Sequence, residues 1–212
     1  RTHLHLAVPG ADHARAASVL PLPPEIEALA RGRGYFLMCV EGVAPTDLAC
    51  AALAHARFLG THPNGPVLLL AGTPKRDAAR MLDEWPQGTL HIEELDEDLR
   101  LSLLRKARAL VYAAAREASR LPLVEAMTLG CPVIVADTPA ARETCMDACL
   151  PFQRGDAGSL EDAMDALLAY PRQTAAMIAA GRKRAAGLTW DACLDRLLDA
   201  VVQVAPGGRQ RA

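Results

Sequence analysis

Short hydrophobic runs alternate with helical patterns along most of this chain. The runs are nearly continuous and rich in Leu, Val and Ala, and they are YFLMCV (35–40), PVLLLAG (66–72), GTLHIEEL (88–95), ALVYAA (109–114) and PVIVAD (132–137). Strands that are hydrophobic on both faces and separated by helices are typical of a parallel sheet covered on both sides. The alternation therefore predicts an α/β fold with a doubly wound, Rossmann-like parallel sheet of about six strands, counting a short edge strand at 149–153.

Start signals for helices stand between these runs. The predicted helices cover 46–59, with Thr46 or Asp47 as its cap, 73–85, 96–107 and a segment opened by Leu121-Pro122, and further helical patterns fill the C-terminal part of the chain. We therefore predict a single domain over 1–212. Its parts are a crossover segment (1–34) that begins with a short strand LHLAV, an α/β core (35–188), a C-terminal helix (189–204) and a tail (205–212).

Composition excludes several classes of function. The net charge of −2 and the pI near 6.3 do not supply the basic surface that non-specific nucleic-acid binding needs. There is no apolar run of roughly 20 residues to span a membrane, and no signal peptide is visible. The six cysteines show no C-x-x-C spacing and are expected to be free thiols. We therefore expect a cytoplasmic protein without a transmembrane segment, for which peripheral membrane association stays open.

Two glutamates flank the Leu121-Pro122 pair at a spacing of eight residues. Glu117 follows the predicted strand that ends near Ala114, and Glu125 lies one turn into the next helix. Parallel sheets bind ligands at the carboxyl ends of their strands, and the unpaired N–H groups of a helix N-terminus attract an anion such as a diphosphate. Carboxylates beside such a site accept hydrogen bonds from hydroxyls, which suits a sugar nucleotide. The alternative is that both glutamates only stabilise the helix dipole.

The residues around this pair resemble a known family. VYAAAREASRLPLVEAMTLGCPVIVADTPAARE (111–143) resembles the E-x7-E region of retaining glycosyltransferases of the GT-B fold, family 4. Further segments match the same family in order, namely LAVPGADHARAA (6–17), GYFLMCVEGVAP (34–45), PVLLLAG (66–72), RGDAGSLEDAMDALL (154–168) and LTWDACLDRLLDAV (188–201). The resemblance is to the C-terminal, donor-binding half of such enzymes, and it implies a hexosyltransferase of the kind found in polysaccharide biosynthesis.

The resemblance implies a role for each matching residue. Glu125 would hold the ribose hydroxyls of a UDP- or GDP-sugar, and Glu117 would contact the transferred sugar as the catalytic residue. The backbone N–H groups of Ser119, Arg120 and Leu121 would cradle the diphosphate. No metal or other cofactor is implied. An acceptor-binding domain, in cis or in trans, would be the missing partner, and this chain alone would transfer no sugar.

Three departures from the family pattern affect the charge and the space at the donor site. Gly42 and Asp47 take the places of an arginine and a lysine that neutralise the diphosphate, and Ala118-Ser119-Arg120 replaces a G-F-G triplet. Arg116, Arg120, Lys75 and Arg76 are candidate sources of the missing charge. We expect Asp47→Lys to tighten nucleotide binding. The alternative is a degenerate domain that has lost donor binding and serves as a scaffold or partner-binding module; an epimerase of related architecture is a third reading.

Overall fold

The computed structural model of the protein describes residues 8–73, 87–114 and 120–204. Its six strands form one parallel sheet in the order β3-β2-β1-β4-β5-β6. They are β1 (Tyr35–Cys39), β2 (Val67–Ala71), β3 (Thr89–Ile92), β4 (Ala109–Tyr112), β5 (Val133–Ala136) and β6 (Leu150–Phe152). The predicted fold class, the strand count and the positions of these strands are confirmed.

Nine helices lie in the described part of the chain. They are α1 (His13–Ala16), α2 (Pro24–Gly32), α3 (Pro45–Thr61), α4 (Glu97–Lys106), α5 (Leu121–Leu129), α6 (Pro139–Cys145), α7 (Ala157–Ala169), α8 (Pro171–Ala186) and α9 (Trp190–Val204). The sequence analysis did not predict α1 or α6, which are only four and seven residues long. The predicted helix at 73–85, the predicted strand LHLAV apart from Val8, and the tail lie outside the described residues.

The sheet is buried on both faces, which explains why its strands read as continuous hydrophobic runs. All residues of β2, β4 and β5 are buried, whereas most residues of the edge strands β3 and β6 are partly or fully exposed. Phe58 of α3 packs edge-on against Phe36 of β1, with 5.5 Å between the ring centroids. Aliphatic side chains fill most of the remaining core. The low aromatic content is therefore compatible with a continuous core.

The strand order reverses between β1 and β4. The chain leaves β1 toward β2 and β3 on one side and returns through α4 to β4 on the other side. Loops that leave adjacent strands in opposite directions open a crevice at their carboxyl ends, and this is where ligands bind in sheets of this type. The chain after β4 leads to α5, so the Leu121-Pro122 helix begins beside this crevice.

The crossover segment is tied to the start of α9. The backbone N–H of Ala11 donates to the Leu188 carbonyl oxygen at 3.1 Å, and the N–H of Trp190 donates to Asp12 Oδ1 at 2.8 Å. A Cβ at Gly10 would lie 2.0 Å from the backbone nitrogen of Trp190, so only glycine permits this approach. The two ends of the domain therefore meet beside α1. Among the described helices, none combines the length and the apolar character that crossing a bilayer requires.

A buried histidine of α3 makes the stability of the fold depend on pH. His55 is fully buried, its Nε2–H donates to the Pro66 carbonyl oxygen at 3.0 Å, and its Nδ1 has no hydrogen-bond partner among the described residues. Burial lowers the pKa of His55 below its ordinary value. The unfolded chain therefore takes up a proton at higher pH than the folded chain does. The stabilising contribution of the neutral ring is present above about pH 6.5 and is lost as the pH falls toward the lowered pKa.

We expect the free energy of unfolding to fall between about pH 7 and pH 5, by up to about 1.4 kcal/mol per pH unit from this group. His55→Gln keeps a donor for the Pro66 carbonyl but does not titrate, so its pH profile should be flatter in this interval. Urea denaturation of both proteins across the interval measures the difference. Parallel profiles for the two proteins would contradict the expectation.

Candidate functional site

The N-terminus of α5 lies at the carboxyl edge of the sheet, as the sequence predicts. Arg120 precedes the helix in a left-handed conformation (φ 51°), and its carbonyl oxygen accepts the first helical hydrogen bond, from the N–H of Leu123 at 3.1 Å. Glu117 and Ser119 lie outside the described residues, so the role predicted for Glu117 stays a prediction. The diphosphate cradle predicted for Ser119, Arg120 and Leu121 likewise stays a prediction.

Glu125 is the most enclosed charged group of this region. Its side chain is 0% exposed, and Arg100 of α4 donates to both of its carboxylate oxygens: Nη2 to Oε1 at 2.9 Å, and Nη1 to Oε2. His13 of α1 adds a third hydrogen bond, from Nε2 to Oε1 at 3.1 Å. Partners from two other helices therefore donate three hydrogen bonds to this carboxylate and reach both of its oxygens. No ligand hydroxyl is needed to satisfy it.

The hydrogen bond from Trp190 sets the tautomer of His13. The indole Nε1–H of Trp190, which can only donate, lies 3.0 Å from His13 Nδ1. His13 Nδ1 must therefore accept, and the ring proton resides on Nε2, which donates toward Glu125. Glu97 Oε1 lies 3.3 Å from the same Nε2. Trp190, His13, Glu125 and Arg100 thus form a hydrogen-bonded chain, here called the Glu125 network, that joins α9, α1, α5 and α4.

Arg100 remains charged in this setting. Burial disfavours its guanidinium cation, but the hydrogen bonds and the charge of Glu125 outweigh that effect and raise the pKa of Arg100. Cys39, the last residue of β1, and Glu97 act in the same direction. Through its hydrogen bonds with Glu125, Arg100 packs against α5, the helix that begins beside the crevice where the strand order reverses.

Ligand atoms of His13, Glu97 and Glu125 lie within 4.8 Å of one another. Three such groups can hold a divalent cation in other settings, but here the donor set fits a metal poorly. The proton on His13 Nε2 points into the cluster, and the guanidinium of Arg100 already neutralises Glu125. A divalent cation would have to displace both, so we assign no metal to this cluster.

Gly42 and Asp47 occupy different surroundings. Gly42 follows β1 with φ +74°, and a Cβ at this position would meet no atom of the described residues within 4 Å, so these residues leave the space beside it open. Asp47, in the first turn of α3, is 5% exposed and accepts from Arg154 Nε at 3.0 Å and from Nη2 at 2.8 Å. The expectation that Asp47 adds an uncompensated negative charge is therefore corrected, because Arg154 neutralises it.

The side chain of Arg120 forms hydrogen bonds with a neighbouring helix. Its Nη1 donates to the Ala140 carbonyl oxygen at 3.1 Å and to Glu143 Oε2 at 3.2 Å, both on α6. The side chain of Arg120 is therefore poorly placed to supply the positive charge beside the diphosphate, which Gly42 and Asp47 do not supply either. The other candidates for that charge, Arg116, Lys75 and Arg76, lie outside the described residues.

Cavities of the described structure also occur away from this crevice. One of about 400 Å³ lies between α7 and α8 and is lined by residues that include Cys149, Leu150, Ala166 and Met177. Its lining is mainly small and apolar and includes no residue of the Glu125 network. We therefore locate the candidate site by the sheet topology and the charged groups rather than by cavity size.

Sequence reasoning singled out Glu125 but missed its partners. His13 lies 112 residues from Glu125 along the chain, Trp190 lies 177 residues from His13, and Arg154 lies 107 residues from Asp47. Even Arg100, 25 residues away, lies in an unremarkable helical pattern. No local spacing signals these pairs, since folding alone brings them together.

Comparisons with known proteins agree with this architecture. Residues 87–184, slightly less than half of the chain, match the family described as Glycosyl transferases group 1. No curated protein matches the sequence. The matching segment contains α4, α5 and the intervening strand β4.

Solved structures resemble nearly the whole chain. A trehalose-6-phosphate synthase aligns with a TM-score of 0.80 and 14% identity over 97% of this chain and 52% of its own. A sucrose-phosphate synthase from Thermosynechococcus elongatus aligns with a TM-score of 0.64 and 21% identity, over 93% and 50% of the two chains. A trehalose-6-phosphate structure from E. coli, bound with UDP-2-fluoro glucose, aligns with a TM-score of 0.76 and 12% identity over 94% and 51%. The likeness establishes a GT-B type of fold, and the chain spans about half the length of the structures it matches.

Proposed function

We propose that this chain is the donor-binding half of a retaining glycosyltransferase that takes sugar from a UDP- or GDP-sugar. The observation that carries the proposal is the position of the E-x7-E-like segment. The carboxyl end of β4 and the start of α5 lie where the strand order of a GT-B type sheet reverses, within the segment that matches group 1 glycosyltransferases. A similar fold in the E. coli structure holds a UDP-sugar analogue.

In the proposed binding mode, different protein groups bind the diphosphate, the transferred sugar and the ribose of the donor. The diphosphate is held at the N-terminus of α5 by backbone N–H groups of residues 119–121 and by the helix dipole. The transferred sugar meets Glu117. The ribose lies toward the Glu125 network, and the open space beside Gly42 leaves room for the donor. Binding requires no metal in this mode, so a chelator should leave nucleotide affinity unchanged.

An exposed apolar face of α9 supports the proposal of a second domain, in cis or in trans. Large apolar side chains recur on this helix at a helical spacing, and all are exposed: Trp190, Leu194, Leu197, Leu198, Val201 and Val202. An apolar stripe of this kind on a folded domain marks an interaction surface. The polar positions of α9 include Asp191, Asp195 and Asp199, whose charge does not favour an anionic membrane surface. We therefore propose a protein partner that carries the acceptor, be it a glycan, a lipid or another molecule.

A second candidate function is a scaffold or partner-binding module without a donor site. Protein groups bind both carboxylate oxygens of Glu125, and this favours the alternative. The absence of a basic side chain at Gly42 and Asp47 favours it as well. Nucleotide binding separates the two candidates.

Calorimetry with UDP, GDP, uridine and guanosine tests the proposal. We expect one of the two diphosphates to bind with a dissociation constant below about 1 mM, and at least about tenfold more tightly than its nucleoside, because the diphosphate adds contacts at the start of α5. The Arg142→Gln variant is a suitable control. It alters an exposed arginine of the neighbouring helix α6, so it should bind the diphosphate as the wild type does. Absence of binding at millimolar concentration would favour the scaffold.

The activity of the isolated chain tests the need for a partner. Reacting groups must be held between donor and acceptor sites, so the purified chain should bind nucleotide but transfer no sugar to added acceptors. Sustained transfer by this chain alone would contradict the proposed division into two halves.

A further inference from the structure

We propose that Cys145 and Cys149 form a redox-active dithiol, which a hydroperoxide oxidises to a disulfide and a dithiol reductant restores. Cys145 is the last residue of α6, and Cys149 directly precedes the edge strand β6. All six cysteines of the chain are free thiols in the structure. The pair shares no residue with the proposed donor site, so it is tested independently of nucleotide binding.

A tight turn brings the two thiols together. The N–H of Ala148 donates to the Cys145 carbonyl oxygen at 3.0 Å, which closes a turn over residues 145–148. Met146 has φ 52° and ψ −124°, the conformation at the first central position of a type II′ turn, where glycine is usual. Strain of this kind persists only where neighbouring contacts hold it, and it is concentrated at functional sites. The Cys149 thiol turns back, so that it donates to the Met146 carbonyl oxygen at 3.7 Å and shares a hydrogen bond with the Cys145 thiol.

The two thiols differ in exposure and in acidity. Cys145 is fully buried, whereas Cys149 is partly exposed. The hydrogen bond from Cys145 lowers the pKa of Cys149, against the opposing effects of burial, Asp137 and Asp147. The same hydrogen bond, together with burial, raises the pKa of Cys145. Because the thiolate is the nucleophile, Cys149 is the thiol that attacks an oxidant, and Cys145 is the thiol that then closes the disulfide.

A cavity gives a small oxidant a route to Cys149. The cavity of about 400 Å³ between α7 and α8 is lined by Cys149 and by polar groups of Asp147, Gln173 and Thr174. Cys39 is the other partly exposed cysteine, and it does not line this cavity. The four remaining cysteines are buried. Exposure and acidity therefore both favour Cys149 as the first thiol to react.

The atoms and electrons balance with hydrogen peroxide as the oxidant. The Cys149 thiolate attacks one peroxide oxygen, the O–O bond breaks, and Cys149 becomes a sulfenic acid. The departing hydroxide takes up the proton that Cys149 released and forms water. The Cys145 sulfur then attacks the Cys149 sulfur, the S–O bond breaks, and a second water leaves with the Cys145 proton. Two electrons pass from the thiols to the peroxide, and the sulfurs close to about 2.05 Å. Exchange with a dithiol reductant reverses the reaction.

Peroxide treatment of the purified chain, followed by mass spectrometry, tests the proposal. Trypsin cleaves after Arg142 and Arg154, so peptide 143–154 contains Cys145 and Cys149 and no other cysteine. We expect this peptide to become two hydrogens lighter and to lose both alkylation sites, and dithiothreitol to restore both. Two free thiols on this peptide after Cys39 has been oxidised would overturn the proposal. A disulfide between Cys149 and any cysteine other than Cys145 would also overturn it.

Cys145→Ala separates the two steps of the reaction. In this variant, Cys149 should stop at the sulfenic acid, which dimedone traps, and no disulfide should form. Cys39→Ala is the matched control because it removes the other partly exposed thiol, and its peptide 143–154 should be oxidised as in the wild type.

Competition for limiting iodoacetamide tests the assigned order of reactivity in the wild type and needs no variant. We expect Cys149 to be alkylated before Cys145 and Cys39. Equal or slower alkylation of Cys149 would overturn the proposal.

Discussion

Arg100→Met is expected to lower the free energy of unfolding by about 3–5 kcal/mol, because it removes the cation from a buried ion pair and leaves Glu125 charged. Glu125 has no exposed surface, and its remaining partner is the neutral ring of His13. A carboxylate in this position either stays unpaired or takes up a proton, and both outcomes destabilise the fold near neutral pH. Urea denaturation near pH 7 measures the loss.

A double variant distinguishes the ion pair from simple packing. Arg100→Met combined with Glu125→Leu replaces both charges by apolar groups, and we expect it to recover most of the lost stability. Arg142→Met is the matched control: Arg142 pairs with Asp137 on the surface, its side chain is 72% exposed, and its removal should change stability little. Equal losses for Arg100→Met and Arg142→Met would show that the Glu125 network does not behave as a buried pair.

Asp47→Lys is the second substitution with a large expected effect. Asp47 is buried in the first turn of α3 and binds Arg154 through both of its oxygens. A lysine there faces the guanidinium of Arg154 and also places a cation at a helix N-terminus, where the dipole is unfavourable to it. Arg154 is 44% exposed and can turn toward water. We therefore expect a loss of about 2–3 kcal/mol, below the cost for a fully buried pair.

Reversal of the pair tests this explanation. Arg154→Glu combined with Asp47→Lys restores opposite charges, and its free energy of unfolding should lie closer to wild type than that of Asp47→Lys alone. The two single variants and the double variant form a cycle whose coupling energy isolates the pair. Tighter nucleotide binding by a stable Asp47→Lys protein, as the sequence alone predicts, would contradict the structural account.

These two expectations change how a Glu125 variant should be read. The sequence resemblance predicts that Glu125→Ala weakens nucleotide binding through loss of a ribose contact. In the structure, the same change also removes the partner of Arg100. A loss of binding by Glu125→Ala therefore has two causes that only a parallel stability measurement separates.

The sequence by itself determined the sheet and the position of the candidate site. Strands buried on both faces must be hydrophobic at every position, so they stand out as continuous runs between helical patterns. The Leu121-Pro122 pair likewise marks the start of α5, since proline suits the first turn of a helix. Both signals arise within a few residues of chain, and this is why they could be read before the structure was known.

Only the tertiary structure decided which charged groups meet. Arg100 and His13 donate hydrogen bonds to the buried Glu125, and Arg154 neutralises Asp47. The side chain of Glu97, in contrast, stays largely exposed. These contacts join residues that are 25 to 112 positions apart. A carboxylate on the surface and a carboxylate that is buried and paired look alike in the sequence. The difference between them is one of burial and partners, which arise only when helices from separate parts of the chain pack together.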